Sequence, residues 1–194
     1  MGNLRYAMVC SSNMNRSMEA HKLLAQEGLQ VESFGVGTKV RLPGNSADTP
    51  NIYDFDSVTY EQIYQDLKGQ DPVLYRRNGL LTMLERNMSV KRGPQRWQDQ
   101  RDLDLDVVIT FEERVFNLLV DDVNQRSGSG EALLVVNMDV VDRHEEALVA
   151  GPQVVRLCNM LNEAGEEWVD AVDDIMEHFM QDTGRAAVFT VCFT

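Results

Sequence analysis

Cysteine and histidine are both scarce in this chain, and no apolar stretch is long. Cys10, Cys158 and Cys192 are scattered and form no C-x-x-C pair. That argues against a disulfide framework and a thiolate zinc site, and suits a reducing compartment. His21, His144 and His178 form no pair at ligand spacing, so neither a metal nor a cofactor is expected. No apolar run approaches the roughly 20 residues of a membrane span. The first residues are too polar for a signal peptide. Positive charge is also short, with 18 Lys and Arg against 31 Asp and Glu and a net charge of −13. Such a field disfavours direct binding to nucleic acid, and any site for an anion must be locally positive. Repeats and low-complexity tracts are absent. What remains is globular: 194 residues, 43% apolar and 25% charged, enough for one domain with a real core.

One stretch organises the rest. Tyr6-Ala7-Met8-Val9 is an apolar run that delivers Cys10. Ser11, Ser12, Asn13, Met14 and Asn15 follow, then Arg16 and Ser17. Met18 to Ala25 reads as a helix stopped by Gly28. Strand, tight loop and helix start make an anion site, because the loop N–H groups point inward and the helix N-terminus is partly positive. A helix N-terminus and a nearby arginine favour the thiolate of a cysteine, the attacking form. Arg16 can grip two phosphate oxygens through its planar fork, and Ser17 can donate to the sulfur. C-x5-R-S is the signature of cysteine-dependent phosphatases. The spacing alone is common; the flanking strand and helix make it specific.

The rest of the chain alternates strand and helix, with one interruption. Gln30 to Gly37 is a second strand, hence a parallel βαβ unit. Lys39 to Gly44 is a basic loop, and Asn45 to Asn51 is turn-rich. A helical insertion spans about 45–101. Tyr60, Ile63, Tyr64 and Leu67 mark one helix, and Leu74, Leu80, Leu81 and Leu84 a second. Arg76, Arg77, Arg86, Lys91, Arg92, Arg96 and Arg101 make it basic, either as a solvated surface or to hold an anionic substrate over the loop. Leu105 to Ile109 is a buried-type strand. Thr110 to Glu113 reads as a capping box for a helix through Val123. Ser127 to Gly130 is a flexible loop, and Ala132 to Met138 a strand. A helix from Glu145 to Ala164 is interrupted or restarted near Gly151-Pro152. Another ends at Gly184, and Ala187 to Phe193 closes as a strand. The expected fold is α/β with a mostly parallel sheet, in a single domain over 1–194.

A cysteine phosphatase also needs an acid, to protonate the leaving oxygen and then activate water. Asp139 and Asp142 lie in the turn after a strand, at the sheet edge where the Cys10 loop also ends. Spacing does not choose between them.

The Val9 to His21 segment resembles the opening of the Ssu72 family of RNA polymerase II carboxy-terminal-domain phosphatases. So do Leu42-Pro43-Gly44, Pro50 to Phe55, Asn78-Gly79-Leu80-Leu81, Glu112 to Val115, Val136 to Asp139 and His144 to Ala147. The resemblance implies a three-layer sandwich like that of low-molecular-weight tyrosine phosphatases, with the helical insertion binding substrate. It implies a nuclear enzyme acting on the phosphorylated polymerase tail, at the serine before the second heptad proline with that peptide bond cis, and a symplekin partner in mRNA 3′-end processing. It maps the nucleophile to Cys10, the phosphate arginine to Arg16 and the acid to Asp142, with Asp139 on the same loop. Peptide-groove residues map to Pro43, Tyr75, Leu80 and Met83, with basic Lys39 nearby. The chain departs from the family pattern at Arg76-Arg77, Val36, Phe111 and Thr194. Two rival enzymes fit less well. A tyrosine phosphatase carries its acid in an Asp-Pro loop, and the only Asp-Pro here is Asp71-Pro72 in the insertion. An arsenate reductase needs relay cysteines. A non-catalytic scaffold is the alternative outside enzymes, against which the intact Cys10, Arg16, Ser17 and Asp142 count.

Overall fold

Alternation decides the first strand. In Arg5–Cys10 (β1), Tyr6, Met8 and Cys10 enter one buried cluster, while Ala7 and Val9 enter another. A strand apolar on both faces belongs in the middle of a parallel sheet. The computed structural model describes residues 4–46, 48–100, 103–126 and 130–193. After β1 come α1 (Arg16–Gln26), β2 (Gln30–Gly35), β3 (Val40–Leu42) and β4 (Asn51–Tyr53). The insertion then contributes α2 (Tyr60–Gln70), α3 (Pro72–Arg77) and α4 (Leu80–Met88). The alternation resumes with β5 (Val107–Thr110), α5 (Glu113–Gln125), β6 (Ala132–Asn137), α6 (His144–Ala164), α7 (Trp168–Thr183) and β7 (Val188–Phe193).

The main sheet runs β2-β1-β5-β6-β7, parallel except for β7. One face is covered by α1, α6 and α7 through Ala20, Leu24, Val154, Leu157, Met176 and Phe179. The other is covered by α5 through Val115, Leu119 and Val123, with Trp97. The result is the expected three-layer α/β arrangement. The carboxyl ends of β1, β5 and β6 share one edge, and the functional loops leave from there. The insertion has its own cluster, built on Tyr60, Ile63, Leu67, Tyr75 and Leu84. Met14 and Met18 join it, so the Cys10 loop and α1 pack against the insertion as well as the sheet.

Two glycines are required where β2 ends. A Cβ on Gly35 would lie 2.8 Å from the Ser11 carbonyl oxygen, and one on Gly37 2.9 Å from it. Gly37 N–H donates to that oxygen. The bare backbone is what lets the chain pass beside the Cys10 loop. Val36 between them is buried.

The structure differs from sequence expectation in several places. Where the sequence suggested loops from Lys39 to Asn51, the antiparallel pair β3–β4 forms between Val40–Leu42 and Asn51–Tyr53, strands too short to show an alternation. Leu74 and Leu80 lie on different helices, because Gly79 at φ 83° breaks the path between α3 and α4. Conversely, Gly151-Pro152 does not interrupt α6, which runs unbroken. Gly151 is a contact point there: a Cβ would come within 2.5 Å of Leu23 Cδ1 on α1. Thr110 caps nothing. It is the last residue of β5, and its hydroxyl bonds the Val136 carbonyl and Asn137 Oδ1. A capping box does exist, but at Thr59 and Gln62 before α2. Ser127 to Ser129, Arg101 and Thr194 lie outside the described residues.

α1 is tied to β2 by a buried polar pair. His21 Nδ1 and Ser33 Oγ are 2.8 Å apart. Burial, aided by the Lys91 charge, pushes the His21 pKa down to about 4 from 6.5. The unfolded imidazole therefore takes a proton that the folded one refuses, and stability is lost as pH falls from about 6.5 towards 4. The urea midpoint of the native chain is expected to drop between pH 7 and pH 5. The drop should shrink in His21→Asn, whose amide reaches Ser33 without titrating; an equal drop in the variant would assign the pH dependence elsewhere.

Candidate active site

Cys10 ends β1 and Arg16 starts α1, so the five residues between them must turn the chain within one short loop. Asn13 makes the turn. It is fully buried and adopts φ 53°, a left-handed conformation that asparagine tolerates. Three contacts hold it there: Tyr60 donates its hydroxyl to the Asn13 carbonyl at 2.6 Å, Gln95 N–H donates to Asn13 Oδ1, and Asn13 Nδ2 donates to Ser17 Oγ at 3.1 Å.

That last bond sets the direction of the next. Ser17 Oγ lies 3.1 Å from Cys10 Sγ. Because the hydroxyl oxygen already accepts from Asn13, its own hydrogen is free to point at the sulfur. Cys10 is thus served by a donor whose orientation is fixed two residues deep.

Arg16 is buried and held like a fixed tool. Its Nη1 donates to the carbonyls of Val140 (2.9 Å) and Phe111 (3.3 Å), and its Nη2 to Glu112 Oε2 (2.8 Å). An arginine has five N–H donors, so these bonds leave the Nε–H and one Nη2–H. Nε is buried and has no hydrogen-bond partner. A guanidinium with donors still free can take a phosphoryl oxygen. Burial opposes the charge, but Cys10, Asp142 and Glu112 outweigh it and hold the Arg16 pKa raised. Burial likewise pushes the Glu112 carboxyl up, and Arg16 outweighs it, leaving that pKa lowered. Glu112 also accepts from Ser11 Oγ, which in turn accepts from Arg114. Glu112 is the N-cap residue of α5 yet makes no cap bond; its side chain serves Arg16.

The loop after β6 separates its two aspartates. Asp142 Oδ1 accepts from Asn15 Nδ2 at 3.0 Å and lies 3.6 Å from Arg16 Nε. Asp139 Oδ1 accepts from Asn137 Nδ2, and its carbonyl from Arg185. A cleft of about 330 Å³ opens at this edge. Cys10, Ser12, Met14, Asn15 and Asp142 line it; Asp139 does not. Of the peptide-groove residues, Pro43, Leu80 and Met83 line the cleft, on β3's exit and on α4.

Tyr75 and Lys39 are not among the lining. Tyr75 is buried within the insertion cluster, and its hydroxyl donates to Asn45 or Gln70 and accepts from Asn51. It braces the β3–β4 connection. Lys39 pairs with Asp54. The basic run of the insertion does not face the cleft either. Arg76 pairs with Glu85; Lys91 bonds the Ser33 carbonyl and Gln95; Arg96 bonds the Gly37 carbonyl; Arg86 is buried behind the loop. The cations at the cleft are instead Arg41 and Arg143, beside His144. Arg41 N–H donates to Ser12 Oγ, which anchors it to the loop. Among the described residues, no cluster of three or more His, Cys, Asp or Glu could hold a metal ion, and no helix is long and apolar enough to cross a membrane.

Sequence reasoning placed Asn15 in the phosphate loop and Glu112 within a capping pattern, and gave neither its side-chain partner. Their partners lie 127 and 96 positions away respectively, and no local pattern reports such a pairing.

This geometry can be set beside known proteins. The family model described as Ssu72-like protein matches residues 4–194. The RNA polymerase II C-terminal domain phosphatase SSU72 of Rattus norvegicus is 45% identical over 191 residues, covering 98% of this chain and 97% of the rat protein. The Schizosaccharomyces pombe protein of that name is 44% identical over 193 residues, with the same coverage. The Drosophila melanogaster serine phosphatase of the RNA polymerase II CTD superposes with a TM-score of 0.94 at 40% identity, covering 99% of this chain and 100% of that one. The Drosophila Ssu72 solved with Symplekin and a cis peptidomimetic of the serine-phosphorylated CTD gives a TM-score of 0.93 at 37% identity, with full coverage of both. Over nearly its whole length, this chain belongs to the Ssu72 family.

Proposed function

We propose that this chain is a cysteine-dependent protein phosphatase that removes phosphate from serine preceding proline in the RNA polymerase II carboxy-terminal-domain heptad. Its relatives carry the name of that activity. The observation that carries the reading is the placement of Cys10 and Asp142 on one cleft, with the buried Ser17 hydroxyl 3.1 Å from the sulfur and the buried Arg16 Nε 3.6 Å from Asp142.

The steps follow from the positions. The Cys10 thiolate attacks phosphorus in line while loop N–H groups from Ser11 to Arg16 and the Arg16 fork hold the equatorial oxygens. Asp142 protonates the departing serine oxygen as the P–O bond breaks. The product is a phosphocysteine and a free serine. Asp142, now a carboxylate, takes a proton from water, which attacks the phosphocysteine. Ser17 donates to the sulfur as the thiolate leaves. Pro43, Leu80 and Met83 form the apolar wall against which a proline-containing segment rests, which makes the insertion at about 45–101 the substrate-binding part of a single domain. The work belongs in the nucleus, in transcription and mRNA 3′-end processing. The fly relative's complex with Symplekin supports a similar scaffold as partner.

Asp142→Asn is the test. It removes the proton donor and keeps size and the Asn15 contact. Turnover of a phosphoserine-proline peptide, whose alkoxide leaves poorly, should fall by about 10²–10⁴-fold. Turnover of an aryl phosphate with a low leaving-group pKa should fall much less. Equal losses on the two substrates would make the effect structural. The same leaving-group dependence in Asp139→Asn alone would reverse the roles within this loop.

A further inference from the structure

The insertion and the phosphate loop share one helix. On its first turns α4 presents Leu80 and Met83 to the cleft. About one turn after Met83 it carries Arg86 and Asn87, and both reach the Cys10 loop from behind. Arg86 Nη2 donates to the Met14 carbonyl at 2.8 Å and to the Asn15 carbonyl at 3.2 Å. Asn87 Nδ2 donates to the same Met14 carbonyl at 2.8 Å. The remaining edges of Arg86 are taken by Glu19 Oε2 on α1 (2.8 Å) and by Asn87 Oδ1 (3.0 Å). Arg86 and Glu19 expose only 7% and 5% of their side chains, and Asn87 none. A buried arginine that sends donors to two carbonyls of one loop and to the helix that follows it, with its Nε on the neighbouring Asn87, is a costly feature to keep for packing alone.

The effect on the loop follows from peptide geometry. Each peptide plane carries its C=O and N–H on opposite sides. Pulling the Met14 and Asn15 carbonyls outward turns the N–H groups of Asn15 and Arg16 towards the loop centre, where the phosphoryl oxygens belong.

We propose that Arg86 and Asn87 are positioning residues for phosphate transfer: they set the aim of the loop's N–H groups, and α4 thereby joins the peptide wall to the oxyanion grip. The proposal rests on the phosphatase reading for its kinetic arm, but not for its binding arm.

The test uses tungstate, an unreactive oxyanion, and an aryl phosphate too small to need the peptide wall. Arg86→Lys keeps the charge and the Glu19 pairing but loses the fork. Asn87→Asp keeps the shape and puts an acceptor where the Met14 carbonyl needs a donor. Both are expected to weaken tungstate binding by calorimetry at least about tenfold, and to lower kcat on the aryl phosphate by about a hundredfold, the scale on which small misplacements act. Arg76→Gln loses a positive charge from the same insertion at the exposed Glu85 pair, and should change neither. Folded variants with tungstate affinity within twofold of the native chain would overturn the proposal. So would loss of the native thermal transition in both, which would assign the pair to the fold instead. Tungstate binding by a native chain that turns over no phosphate ester would sink the phosphatase reading while leaving the loop comparison intact.

Discussion

Cys10→Ser is expected to reduce turnover of both peptide and aryl phosphate by roughly 10⁴-fold or more, the scale on which removal of a nucleophile acts. The hydroxyl is close in size to the thiol and stays within reach of Ser17 Oγ, which lies 3.1 Å from the sulfur. A hydroxyl is a far weaker nucleophile than a thiolate, so the attack on phosphorus is lost. Stability should change by no more than about 1 kcal/mol, as for most conservative substitutions. Measuring kcat and the urea midpoint on one preparation separates the two effects. Activity within tenfold of the native enzyme would refute a phosphocysteine intermediate.

Arg16→Lys should be nearly as severe, by roughly 10²–10³-fold in kcat, comparable to loss of an oxyanion donor. The charge is kept, so a purely electrostatic role would survive. Three things are lost together: the fork, the hydrogen bonds to the Phe111 and Val140 carbonyls, and the pairing with Glu112. An ammonium can satisfy some of these but cannot span two equatorial oxygens while doing so. The loss should fall on kcat more than on KM, because the trigonal transition state is what the fork matches. Unchanged turnover would remove Arg16 from the phosphate site.

The proposed nucleophile half of the site could be put together from sequence because it is local. Cys10, Arg16 and Ser17 sit within one short segment, and an apolar strand before and a helix after them are enough to infer a phosphate loop. For the proposed acid, sequence narrows the choice only to a loop. Asp139 and Asp142 look alike in sequence; what separates them is Asn15, which reaches across the cleft to one and not the other. Glu112 was read as part of a capping sequence, since a Thr-x-x-Glu pattern occurs both at helix starts and, as here, by accident at the end of a strand. The basic run in the insertion was the most misleading signal. A row of arginines in an acidic chain suggests an anion site, yet Arg86, Lys91 and Arg96 bond backbone carbonyls and neighbouring side chains instead of facing the cleft. Composition reports charge but not the direction in which a side chain points. The core strands were read well because burial on both faces leaves a continuous apolar run. The β3–β4 pair was missed because strands of three residues leave no period to count.

The order of pieces along the chain also sets when the enzyme can first work. The ribosome makes Cys10 and Arg16 before any of the parts that complete their surroundings. Their loop is closed from behind by α4, Arg16 is steadied by the β5–α5 junction, and Asn15 waits for a carboxylate 127 positions downstream. The antiparallel strand that closes the sheet beside β6 comes later still. A nascent chain therefore displays its thiol long before it has a site, and acquires the site only when the loop carrying Asp142 has emerged and folded back onto the segment made first.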